Sequence, residues 1–257
     1  MGYHCTKTCE NCNGTSTRRS QSTDLREQLF NQRLTGAISA VATPTEQVCQ
    51  LHGILYDIDV KLFRVGGTFK VLPQMNSRDL FQTVIQPMLF RHPVLECLEV
   101  RCSGEGLHGL LWLDSPILLR TSNDVRRWEF TTGVVQAALP IDSNQPRLNA
   151  LTRPIGSVNS KNGQVVEQIK QGTPASEDDI IHLFREMQRN PYAMIQKIWF
   201  GSEHIEPCPV CNCEGSYLEV TSENYGECYG NCHRITIDRL VNSILDFNHT
   251  NSKGKKQ

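Results

Sequence analysis

Asp57 and Asp59 stand two residues apart in ILYDIDV, residues 54–60, where apolar and acidic side chains alternate as in a half-buried strand. Residues i and i+2 of a strand share a face, so the two carboxylates project side by side. Left unpaired they repel one another, and divalent cations held between them remove the repulsion. Mg²⁺ or Mn²⁺ suits this donor set, and ions roughly 4 Å apart clamp the attacking and leaving oxygens of a phosphoryl transfer. The plainer alternative is an exposed strand face that carries acids for solubility.

A second group is Ser103-Gly104-Glu105-Gly106-Leu107-His108. Its glycines let backbone approach a ligand closely. A serine hydroxyl and neighbouring N–H groups can hold phosphate oxygens, and His108 adds a donor. A hairpin turn with a structural histidine would have the same composition. Asp142 follows in a long loop, with Asp114 as an alternative third acid. The segment from Thr152 to Lys161, with Arg153, Asn159 and Lys161, comes next. Arg147, Arg153, Lys161 and Lys170 outnumber Asp142 and Glu167 in the window 142–172, a local basic excess of the kind a triphosphate pocket needs.

Eleven cysteines are many for an intracellular chain, and they cluster. Cys208-Pro-Val-Cys211 and Cys228-x-x-x-Cys232, with 16 residues between the pairs, have the spacing of a zinc ribbon or knuckle. Cys213 and His233 are alternate ligands. Tyr217, Tyr225, Tyr229 and Arg234 lie within the same stretch and could offer stacking and phosphate contacts. Cys5, Cys9 and Cys12 reproduce the spacing of radical enzymes that use S-adenosylmethionine, but no repeating βα pattern follows. A second zinc site with His4, or an unstructured tail, is the preferred reading there.

The elements that must position these groups can be read from periodicity. Helical spacing covers residues 24–34, 76–92, 122–139 and 176–190, with Pro87 expected to bend the second. Residues 95–102 and 107–113 read as strands joined by a hairpin, and 163–169 as another. Residues 235–247 read as a helix closing the cysteine-rich module. The loop at 140–163 is too long for an idle connection. The expected division is a Cys-containing tail at 1–23, a catalytic domain at 24–200, a zinc module at 201–248 and a basic tail at 249–257.

Taken in order, these groups resemble the archaeo-eukaryotic primase superfamily, and most of all its primase-polymerase domains from plasmids, phages and bacterial genomes. The resemblance spans about residues 50–172 and rests on Asp-x-Asp, Ser-Gly-x-Gly-x-His, a lone Asp and Arg-Pro-x-Gly-x-x-Asn-x-Lys. It implies an α+β fold, with a mixed or antiparallel sheet like that of RNA-recognition domains and a small zinc-binding C-terminal module. It implies template-dependent nucleotidyl transfer with two Mg²⁺ or Mn²⁺ ions on Asp57, Asp59 and Asp142. Ser103, Gly104, Gly106 and His108 would face the triphosphate, and Arg153, Asn159 and Lys161 the nucleotide or template. Single-stranded DNA and nucleoside triphosphates are the implied partners, with a separate helicase or replication protein supplying unwinding. A catalytically silent nucleic-acid binder with the same fold is the alternative, and a metal-dependent nuclease a third.

The 26 basic and 27 acidic residues leave a net charge of −1, so any grip on nucleic acid must come from local patches. No apolar run approaches the roughly 20 residues that span a bilayer. The polar N-terminus lacks the apolar stretch of a secretory signal, and a cytoplasmic location is expected.

Overall fold

The computed structural model describes Thr45 and residues 48–72, 74–102, 104, 106–141, 147–150, 152–159 and 162–246. The helix expected at 24–34, the Cys5, Cys9 and Cys12 group and the basic tail lie outside them. So do Ser103, Glu105, Asp142 and Lys161.

The first sheet is antiparallel throughout. Its strands are β1 (Gln50–Asp59), β2 (Glu99–Cys102), β3 (Gly106–Leu118) and β4 (Glu167–Lys170), in the order β1-β3-β2-β4. Alternation sorts the second half of β1, although Leu55 on the acidic face is buried as well. Ile54, Tyr56 and Ile58 are buried on one face, while Asp57 and Asp59 remain partly exposed on the other. Burial of each of those three inner side chains contributes about 1.5–3 kcal/mol. Gly109 pairs with Tyr56 across the strands, and a β-carbon there would come within 3.3 Å of the tyrosine and 2.6 Å of Leu98.

Helices cover that inner face. The segments Ser77–Leu80, Phe81–Ile85 and Gln86–Leu89 run on as α1, whose middle piece is a π-turn. Pro87 has no N–H to give and crowds the preceding turn, and the Gln86 N–H reaches back to Phe81 O, as the wider turn requires. The expected bend is therefore a local widening. After α2 (Pro93–Glu96), α3 (Ser122–Gln136) packs on the sheet: Tyr56 donates to Val135 O at 3.2 Å and Gln136 to Leu55 O at 2.8 Å. Helices α4 (Glu177–Arg189) and α5 (Pro191–Phe200) complete the layer. Capping boxes open α1, α3 and α4, with Asn76–Asp79, Thr121–Asp124 and Ser176–Asp179.

The second sheet is a meander of β5 (His204–Ile205), β6 (Leu218–Val220), β7 (Tyr225–Cys228) and β8 (His233–Thr236), followed by α6 (Ile237–Ile244). One hydrophobic core runs through both sheets, from Ile54 and Tyr56 to Leu218, Ile235 and Leu240. The chain after α6 returns to the first sheet. Arg64 N donates to Ile244 O at 2.9 Å and Asp246 N to Leu62 O at 2.7 Å, so the C-terminal segment is bonded just past Asp59.

Several boundaries differ from the periodicity. Residues 95–98 are not strand, because His92 caps a helix that Pro93 opens. The strand expected at 163–169 begins at Glu167, and the helix expected at 235–247 begins at Ile237, after a strand. Helix α5 has few polar residues, and its period is hidden. Among the described residues no helix is long and apolar enough to cross a membrane.

Candidate functional site

The two faces of β1 have different fates. Inward residues meet helices, and the outward face of the same sheet carries a row of polar side chains. Asp57 sits directly across from His108 on β3, His108 across from Arg101 on β2, and Arg101 across from Gln168 on β4. Directly opposed residues share a face, so this row crosses all four strands. Asp59 shares the face two residues on, about 7 Å along the strand. Its Oδ1 accepts the Lys61 N–H at 3.0 Å, capping the short 3₁₀ turn Val60–Leu62.

His108 is held on two sides. Nδ1 lies 2.9 Å from the Thr152 hydroxyl, and Nε2 lies 3.8 Å from Oδ1 of Asp57. The imidazole side chain is 9% exposed and the aspartate 49%, so Nε2 marks the border between core and solvent. Burial, then the charges of Arg153 and Arg101, push the His108 pKa down to about 4. The ring is neutral at neutral pH, with one donor and one acceptor nitrogen.

Arg101 organises the neighbouring floor. It donates through Nε to Glu99 and through Nη1 to Arg153 O at 3.1 Å, and its guanidinium lies 5.9 Å from the Trp112 ring centre. Glu99 accepts in turn from Trp112 Nε1 at 2.9 Å. Glu99, Arg101 and Trp112 thus share charge and hydrogen bonds under the chain at 152–153. That chain is fastened to the sheet at both residues, Thr152 by its side chain and Arg153 by its carbonyl. A small cavity lies beside it, lined by Gly53, Leu55, Leu110, Trp112, Leu148 and Thr152.

The segment after Arg153 turns twice. Ser157 N–H donates to Pro154 O at 3.2 Å across a turn whose Gly156 has φ of 81°, a conformation glycine adopts at no steric cost. The Asn159 carbonyl then accepts from the Gly163 N–H at 2.7 Å; a β-carbon on Gly104 would collide with the Asn162 side chain and lie 3.1 Å from the buried Asn159 amide. Gly104 has φ of 113°, and its carbonyl accepts the Ser77 hydroxyl at 2.9 Å. Gly104 therefore lies against Asn159, 55 residues on, and His108 against Thr152, 44 residues on.

Other expected members stand elsewhere. Lys170 donates to the carbonyls of Glu96, Leu98 and Gln171 and does not join a phosphate pocket. Glu167 pairs with Arg78 at 2.7 Å. Asp114 is exposed six residues beyond His108 on the same strand, about 20 Å away, and cannot act as the third acid. Asp142 lies outside the described residues. Glu99, Arg101 and Trp112 were not anticipated. Glu99 and Arg101 do show the period-two signal within the strand expected at 95–102.

A second constellation lies in the meander. The sulfurs of Cys208, Cys211, Cys228 and Cys232 all fall within 4.8 Å of one another, and such a group can hold a metal ion. Cys211 and Cys228 are 3.8 Å apart, which matches the edge of a sulfur tetrahedron, about 3.8 Å for Zn–S bonds of about 2.3 Å. Cys213 is outside the group, its sulfur accepting from Asn231 Nδ2 at 3.2 Å, and His233 is outside it too. The Ser216 hydroxyl holds the Cys211 thiol down to about 5. Burial pushes Cys208 up to about 12 and Cys232 up to about 11. A dication offsets the cost of ionising the buried thiols together.

No family model matches the sequence, and no curated protein matches it. Among solved structures the chain is similar to the AEP domain of the cyanophage S-2L primase-polymerase, at 14% identity and a TM-score of 0.35. The match covers 55% of this chain and 64% of that one, so it spans less than two thirds of the phage domain.

Proposed function

We propose that this chain is a nucleotidyltransferase of the primase-polymerase type, which extends a strand on a single-stranded DNA template from nucleoside triphosphates. The observation that carries the reading is the placement of Asp57 across from the neutral, buried His108, with Asp59 beside them on the same sheet face.

Asp57 and Asp59 are the metal-binding carboxylates, with Asp142 as the third. Bound there, two Mg²⁺ or Mn²⁺ ions would lower the pKa of a 3′-hydroxyl and neutralise charge on the triphosphate. His108 directs Nε2 toward the phosphates while Thr152 holds Nδ1. Arg153 brings positive charge to the rim. Ser103, Gly104 and Gly106 let backbone approach the phosphates, and Asn159 and Lys161 complete the nucleotide contacts. The four cysteines hold a structural Zn²⁺, and a separate helicase supplies unwinding.

One observation favours the alternative of a catalytically silent nucleic-acid binder with the same fold: Asp59 already serves its own backbone as a cap. Incubation of the protein with labelled nucleotides, a primed single-stranded template and Mn²⁺ separates the two. Incorporation into the growing strand supports the enzyme. Template binding without incorporation supports the silent binder, and strand cleavage without nucleotides would make the site a nuclease.

A further inference from the structure

The solvent face of the second sheet carries aromatic rings that the proposed reaction does not use. His204, Tyr217 and Tyr229 form a continuous stack. The His204 and Tyr217 centres are 4.3 Å apart at 28°, and those of Tyr217 and Tyr229 are 4.7 Å apart at 18°. Tyr217 is the middle ring, and Tyr229 ends the stack with 49% of its surface exposed. The Tyr229 N–H donates to Tyr217 O at 2.9 Å, and Tyr229 follows Cys228 directly, so the terminal ring is tied to the middle one through the backbone and stands next to the four-cysteine group. At the other end of β7, Arg234 lies 3.8 Å from the Tyr225 ring centre.

We infer that this stack is a docking platform for the unpaired bases of a single nucleic-acid strand, the first of them closing on Tyr229. Nearly parallel rings at stacking distance are matched by another flat π-face, and every base has one. A duplex hides its base faces within its own stack and cannot use the site. Acids outnumber fixed cations on this face, so it offers little to a phosphate backbone. His204 Nδ1 is 3.1 Å from Glu219 and Nε2 3.9 Å from Glu206, and Glu227 opposes Arg234 across the strands. Contact is therefore through base faces, and its salt dependence is shallower than that of a groove lined with arginine and lysine. The identity of the partner rests on the nucleic-acid reading given above, while the platform is separate from the acidic site. It places the strand on the cysteine module, whose final segment is bonded to the chain just past Asp59.

The test is titration of full-length protein into fluorescently labelled oligo(dT) and into a duplex of the same length, followed by anisotropy. Tyr229→Ala should weaken oligo(dT) binding at least about fivefold, the scale of one lost base stack, and Tyr229→Phe should retain it. Duplex binding should be unchanged in both variants. Equal oligo(dT) affinity in wild type and Tyr229→Ala, or loss in Tyr229→Phe as large as in Tyr229→Ala, would overturn the inference. Nucleotide incorporation is measured separately. Tyr229-dependent strand binding by a protein that incorporates nothing would remove the polymerase reading and leave the platform standing.

Discussion

Nε2 of His108 and Oδ1 of Asp57 face each other across neighbouring strands at 3.8 Å, with the imidazole buried and the carboxylate half in solvent. That separation is longer than a hydrogen bond. The histidine is positioned by Thr152 on its other side, and the carboxylate stays at the rim where a cation and its water ligands can reach it.

Thr152 is therefore a positioning residue. Thr152→Val keeps the shape but leaves a buried ring nitrogen without its partner, and should cost about 1–3 kcal/mol of stability in urea denaturation. Thr152→Ser should restore most of that loss. Incorporation should fall in the valine variant and recover in the serine variant. A valine variant as stable and active as wild type would remove the role.

The pH dependence of stability follows from the depressed His108 pKa. The unfolded chain takes up the imidazole proton near pH 6.5, and the folded protein only near 4. Between those values the unfolded state binds more protons, so stability falls as the pH is lowered through this window. The slope from one such group approaches about 1.4 kcal/mol per pH unit. Above pH 6.5 this group contributes no slope. Denaturation midpoints at pH 7 and pH 5 should draw closer together in His108→Asn than in wild type.

Metal content distinguishes the cysteines. Wild type should carry one Zn²⁺ per chain by elemental analysis, and Cys213→Ser and His233→Ala should keep it. Cys208→Ser and Cys228→Ser should lose it and melt at lower temperature. A strong chelator should lower the wild-type midpoint in the same direction. Retention of zinc in Cys208→Ser would contradict the four-sulfur site.

Much of this arrangement was legible in the residues. The period-two alternation of ILYDIDV separates Tyr56 from Asp57, and the paired cysteine spacing anticipated the group whose sulfurs now lie together. The cross-strand partners were not legible, because register depends on which strands neighbour each other, and β2 lies between β3 and β4 only in three dimensions. Lys170 shows the converse. As a basic residue in a basic window it was expected at a phosphate site, and it instead satisfies carbonyls left at the end of a short helix that periodicity did not reveal. Thr152 was part of a noted segment, but nothing local marks a threonine as the partner of a histidine 44 residues earlier.

Template-dependent incorporation of labelled nucleotide with Mn²⁺, compared between wild type, Asp57→Ala/Asp59→Ala and Asp114→Ala, decides whether the paired aspartates of β1 form a polymerase site. Wild type and Asp114→Ala should incorporate nucleotide and the double variant none, with all three equally folded by circular dichroism. Undiminished incorporation by Asp57→Ala/Asp59→Ala would rule out these carboxylates as the metal ligands of the reaction.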